Sequence, residues 1–243
     1  MSAVRHYVVV TAAYWAFTLT DGALRMLVLL HFHGLGYAPA ELAFLFLFYE
    51  LFGVVTNLLG GWIAARLGVR VTLLAGLALQ IAALGMLSAL APSWARAASV
   101  AYVMAAQALS GVAKDLTKMS SKSAIKTLLP ADAHGPLFRW VALLTGSKNA
   151  LKGAGFFLGS ALLTGLGFRP ALWAMAGGLA VALAVALAEL PPGLGRAKGK
   201  AKFAGVFSMH RDINVLSAAR FFLFGARDVW FVVAVPVFLA REL

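Results

Sequence analysis

Residues 171–188 read ALWAMAGGLAVALAVALA, a stretch with no charge, amide or hydroxyl on any face. A helix of that composition has no polar stripe to turn toward water, so it belongs in a large core or in lipid. A bilayer core about 30 Å thick takes roughly 20 helical residues to cross. Apolar runs of that length recur along the chain, separated by short Gly, Pro or charged breaks such as RLGVR, APSWAR and GLGFRP. With a mean hydropathy of +0.87 and 12% charged residues over 243 positions, no stretch is left for a soluble domain. A transmembrane barrel needs strict alternation in segments of about ten residues, which these runs lack. The sequence therefore predicts an all-α integral membrane protein.

Hydropathy places spans at 8–30, 40–64, 71–91, 98–120, 139–164, 170–190 and 214–239. The first is too long for the apolar part of a signal peptide and carries Asp21 and Arg25, so it reads as a retained helix. With the N-terminus inside, the cytoplasmic segments hold Arg5, Arg66, Arg70, Lys122, Lys126, Arg139, Arg196, Lys198, Lys200, Lys202 and Arg211. The outer segments hold Arg96, Arg169 and Arg241. That asymmetry fixes a cytoplasmic N-terminus and a multi-pass protein of the plasma (inner) membrane. It also accounts for much of the +12 net charge without invoking nucleic acid. The absence of cysteine removes disulfides, thiolate metal sites and cysteine nucleophiles. No metal or cofactor is expected: His31 and His33, two apart, fall on different helix faces.

Six spans, a basic linker and a seventh span make the order found at the joint of a transporter built from two six-helix halves. The expected domains are a six-helix half over 1–190, a cytoplasmic linker over 191–213, and over 214–243 the first helix of a second half that looks truncated. Gly22-Ala23 recurs as Gly225-Ala226, each pair followed closely by intramembrane charge. The segment GGWIAARLGVR resembles the loop motif of the major facilitator superfamily at Gly61, Arg66, Gly68 and Arg70. It departs from that motif at Ala65, where an Asp is usual, and at Val69, where a basic residue is.

The charges left inside the spans are the candidate site. A charge at the bilayer centre costs about 2.5–3.5 kcal/mol on insertion scales, so it persists where it is paired or faces a watery cavity. Lys148 and Lys152 share one helix face, and Lys152 lies too deep to reach an interface easily. Asp21 and Arg25 are four apart, as a self-neutralising pair would be or as an arginine anion clamp with its orienting acid. In GVAKDLTKMSSKSAIK, Lys114, Lys118, Lys122 and Lys126 repeat every four residues and drift by about 40° per step around the helix. The spacing predicts that Asp115 pairs with Lys118, that Lys114 and Lys118 reach the cavity, and that Lys122 and Lys126 form a cytoplasmic collar. Arg220 and Arg227 lie on one face of the seventh helix, Arg227 deeper. Glu50 reads either as an unpaired mid-span carboxylate suited to carrying a proton or as one hydrogen-bonded to a neighbouring helix, and Asp21 is the second candidate for carrying a proton.

YWAFTLTDGALRMLVLLHFH, ALSGVAKDLTKMSSKSAIK, FRWVALLTGSKNALKGAGFFLG and AARFFLFGARDVWFVV together resemble the ArsJ family, organoarsenical efflux permeases of the major facilitator superfamily. The resemblance covers nearly the whole chain. It implies export of 1-arseno-3-phosphoglycerate, a functional partnership with glyceraldehyde-3-phosphate dehydrogenase that makes this ester from arsenate, and arsenate resistance. The substrate ligands expected from charge and position are Arg25, Lys114, Lys118, Lys148, Lys152 and Arg227. An exporter of another organophosphate or carboxylate is the nearest alternative, then a non-transport seven-helix protein. An enzyme is not expected, because no nucleophile and base constellation is present.

Overall fold

The computed structural model describes residues 3–91, 93–128, 134–195 and 210–228. It contains eight helices among these residues and no strand: α1 (Ala3–Gly34), α2 (Pro39–Leu45), α3 (Leu47–Leu67), α4 (Val69–Ser88), α5 (Arg96–Leu128), α6 (His134–Leu166), α7 (Phe168–Glu189) and α8 (Arg211–Asp228). The all-α expectation holds. The chain forms two units, Met1–Ala201 and Lys202–Leu243. The second contains α8, and the remainder of the expected seventh span, 229–239, lies outside the described residues.

The expected second span is broken. Phe46 interrupts it between α2 and α3, with its N–H bonded to Ala43 O at 3.2 Å and its carbonyl accepting from the Glu50 N–H at 3.2 Å. Elsewhere glycine makes abrupt helix junctions. Gly68 (φ 92°) and Gly167 (φ 86°) each donate to the carbonyl four residues back, Ala64 and Leu163, and the next helix starts at once. A left-handed backbone at these points is available to glycine without the clash a Cβ brings.

Three helical stretches are long and apolar enough to cross a membrane by length and composition: Pro39–Leu67, Val69–Ser88 and Phe168–Glu189. The other spans expected in the first unit coincide with α1, α5 and α6, the helices that carry Asp21, Arg25, Lys114, Lys118, Lys148 and Lys152.

Within the first unit α1 packs on α6 and α7, α4 on α5 and α7, and α3 on α5. The main core joins Val10, Phe17, Leu24 and Leu27 of α1 to Leu73, Leu77 and Leu84 of α4 and Leu172 and Leu179 of α7, all almost fully buried. A second cluster around Tyr7, Tyr14, Ile125 and Leu144 includes a stacked Tyr7–Trp140 pair, 4.1 Å between centroids. Apolar attraction between helices is weak in lipid, so close backbone approach carries much of the packing. At the α1–α6 crossing a Cβ on Gly155 would meet the Leu19 carbonyl, one on Gly159 the Ala23 carbonyl, and one on Gly22 the Lys152 carbonyl. These contacts bring Lys152 level with Asp21.

Candidate functional site

Four helices bring together the charged residues expected within the spans of the first unit. α1 supplies Asp21 and Arg25, α3 supplies Tyr49, Glu50 and Asn57, α5 supplies Lys114, Asp115 and Lys118, and α6 supplies Lys148 and Lys152. Arg25 Nη2 donates to Glu50 Oε1 at 2.7 Å, and Lys114 Nζ lies 3.4 Å from Glu50 Oε2. The Arg25 guanidinium also sits 4.8 Å from the Tyr49 ring centroid, and Lys114 Nζ 4.0 Å from the same ring. One aromatic ring thus attracts two cations by its quadrupole. Below it the Tyr49 hydroxyl donates to Asp21 Oδ1 at 2.6 Å. Lys118 Nζ reaches Asp115 Oδ1 at 2.9 Å and Asn57 Oδ1 at 3.4 Å.

Two expectations need correction. Arg25 pairs with Glu50 of the neighbouring helix rather than neutralising Asp21, whose carboxylate is engaged by Tyr49. Of the two readings of Glu50, the unpaired carboxylate is not found and the bond to neighbouring helices is: its two oxygens face two cations. The expected Asp115–Lys118 pair is present. Sequence reasoning passed over Tyr49 and Gly53. A Cβ on Gly53 would lie 2.9 Å from Asp115 Oδ2 and 3.2 Å from Lys114 Nζ, so its bare backbone lets the α5 charges nest against α3.

Lys148 and Lys152 are half-buried, and among the described residues no hydrogen bond or ion pair engages either ammonium. Both lie in the field of the cluster, Lys152 that of Arg25, Asp21 and Lys114, Lys148 that of Lys114, Lys118 and Asp21. Along α5 the lysines grade outward: the Lys114 and Lys118 side chains are 24% and 28% exposed, Lys122 is half-buried and Lys126 exposed. Arg220 is exposed on α8; Arg227 falls in the same helix, and its side chain lies outside the described residues.

The loop motif is held without an acid. Arg66 packs over Trp62 at 5.1 Å, Gly68 makes the left-handed junction, and Arg70 Nη2 donates to the Leu187 carbonyl at 2.9 Å. Gly61 packs near Met119. The amides of Val69 and Arg70 both point to Leu194 O. A separate cavity of about 570 Å³, lined by His31, Tyr37, Trp94, Arg96, Phe168 and Arg169 among others, lies where α1 and α4 end and α5 and α7 begin. It contains none of the clustered intramembrane charges. His31 is stacked on Phe168 at 3.8 Å, and no His, Asp and Glu group suited to a metal occurs among the described residues.

The sequence profile of the Major Facilitator Superfamily matches residues 8–242. The chain belongs to the major facilitator superfamily. Its fold agrees with solved transporter structures. A POT family transporter in complex with a thioalcohol-conjugated peptide superposes with a TM-score of 0.61 at 18% identity, over 97% of this chain and 47% of that one. A POT family transporter in complex with 5-aminolevulinic acid gives 0.62 at 17% identity, over the same 97% and 47%. A peptide transporter in complex with sulfate gives 0.59 at 15%, over 93% and 46%. This superfamily chain spans about half the length of the transporters it matches. No curated protein matches it.

Proposed function

We propose that the protein is the N-terminal part of a secondary transporter that exports a small, multiply charged oxyanion, and that its substrate is 1-arseno-3-phosphoglycerate. The observation that carries this is the cationic surplus at the convergence of α1, α3, α5 and α6. Arg25, Lys114, Lys118, Lys148 and Lys152 face Asp21, Glu50 and Asp115, and among the described residues Lys148 and Lys152 have no carboxylate of their own. Uncompensated ammonium groups inside a membrane protein favour an anionic ligand that supplies the missing charge. Arginine adds a planar fork matched to phosphate, arsenate and carboxylate oxygens.

In this reading residues 1–190 form one half of an alternating-access transporter. The basic linker 191–213 is cytoplasmic, as is the N-terminus, and the helix beginning near 214 opens the second half and contributes Arg227 as a further ligand. The protein sits in the inner membrane and acts beside glyceraldehyde-3-phosphate dehydrogenase, which makes the substrate. Asp21, buried under Tyr49, is the better placed of the two acids to couple export to a proton.

Co-expression of the full-length protein with that dehydrogenase in an arsenate-sensitive host tests the substrate. Growth on arsenate only when both are present is expected; protection without the enzyme, or none with it, overturns the assignment. Everted vesicles given an imposed pH gradient test coupling, and uptake indifferent to the gradient removes the proton.

A further inference from the structure

We propose that Glu50 is a resident counter-anion, holding the substrate's place on Arg25 and Lys114 and displaced from them by the incoming oxyanion. The inference rests on the anion-exporter reading and deepens it by naming the atoms over which substrate and protein compete.

Glu50 forms the open edge of the cluster. Its side chain is 49% exposed, against 14% for Arg25 and 24% for Lys114. The other two acids are buried and held: Asp21 accepts from Tyr49, and Asp115, 6% exposed, accepts from Lys118 at 2.9 Å while its second oxygen lies 3.9 Å from Lys114 Nζ. Of these three acids, Glu50 is the one whose carboxylate can leave its cations without being buried further.

Its grip is also incomplete. Arg25 presents two parallel donors, Nε and Nη2, along one edge of the guanidinium. Glu50 takes Nη2 alone, and Nε is buried with no hydrogen-bond partner among the described residues. The second Glu50 oxygen is 3.4 Å from Lys114 Nζ, long for a charged hydrogen bond. A phosphoryl or arsenyl group that placed two oxygens on the Arg25 edge would satisfy the orphaned Nε, and a third oxygen would reach Lys114. A monocarboxylate would only exchange one carboxylate for another. Glu50 thus sets a threshold that favours multiply charged esters, and it keeps Arg25 from being left buried without an ion-pair partner when the site is empty, Lys114 retaining Asp115 at 3.9 Å.

Because a binding-competent state that is rarely populated lowers apparent affinity by its fraction, removing the competitor should tighten binding. Equilibrium binding of 3-phosphoglycerate to the intact protein in nanodiscs is the test. Glu50→Gln should lower the Kd by ~5- to 10-fold. Glu50→Asp, whose shorter arm cannot bridge both cations, should fall between it and the wild type and guards against misfolding of the first variant. Arg25→Lys, which keeps the charge and removes the edge, should abolish the gain when added to Glu50→Gln. Unchanged or weaker binding in both Glu50 variants, with the wild type still binding, overturns the displacement and leaves the exporter reading standing. Failure of every variant, wild type included, to bind 3-phosphoglycerate overturns both.

Discussion

The Tyr49 hydroxyl donates to Asp21 Oδ1 at 2.6 Å, joining α3 to α1 through residues that are 2% and 7% exposed. The same ring lies against Arg25 and Lys114, so one residue organises an acid and two cations. Tyr49→Phe keeps the ring and removes the donor. It should cost about 1–3 kcal/mol, the usual penalty for stranding a buried polar group. Combined with Asp21→Asn, unfolding in detergent should show a coupling energy of roughly 0.5–3 kcal/mol. Additive losses would mean that the bond contributes nothing.

The α1–α6 crossing predicts opposite signs for two neighbouring glycines. Gly159→Ala drives a methyl into the Ala23 carbonyl and should destabilise the protein by about 1–3 kcal/mol. Gly153→Ala, with nothing within 4 Å of the new methyl, should stabilise by roughly 0.5–1 kcal/mol through helix propensity. Thermal unfolding of the two single variants settles both, and equal effects would show that the close approach is not what holds the helices.

Replacing Lys148 and Lys152 together by alanine should abolish arsenate protection while membrane insertion, read by fractionation and blotting, stays at the wild-type level. Arg5→Ala is the control. Its 2.6 Å bridge to Glu189 is 56% exposed on the Arg5 side, and such surface pairs are worth about 0–1 kcal/mol. Full protection by the double lysine variant would remove these residues from the site.

Lys126→Ala, alone or with Lys122→Ala, should slow uptake into everted vesicles most at low ionic strength, because exposed charges steer an anion only over about a Debye length, ~10 Å at 0.1 M salt. The defect should vanish as salt is raised. A salt-independent loss would point instead to a packing role for the collar.

Much of this protein is local chemistry and is legible as such. Where helices run follows from the length and composition of apolar stretches, and where they stop follows from Gly68, Gly167 and the charged breaks. That Lys148 and Lys152, or Lys114 and Lys118, share a face follows from 3.6 residues per turn, and so does the Asp115–Lys118 pair three residues apart on one helix. What spacing cannot carry is which helix lies opposite. Arg25 and Asp21 have the separation of an intrahelical pair, yet α3 lies within reach of both and offers each a better partner, Glu50 for one and Tyr49 for the other. Tyr49 itself reads as one more aromatic in FLFYELFG, and Gly53 as one more small residue. Their roles exist only once α3 and α5 close to backbone contact, where the missing Cβ of Gly53 and the polar end of a buried ring decide which charges meet. Tertiary packing made that choice because ion pairing in a low-dielectric interior is settled by a few ångströms between helices far apart in the chain.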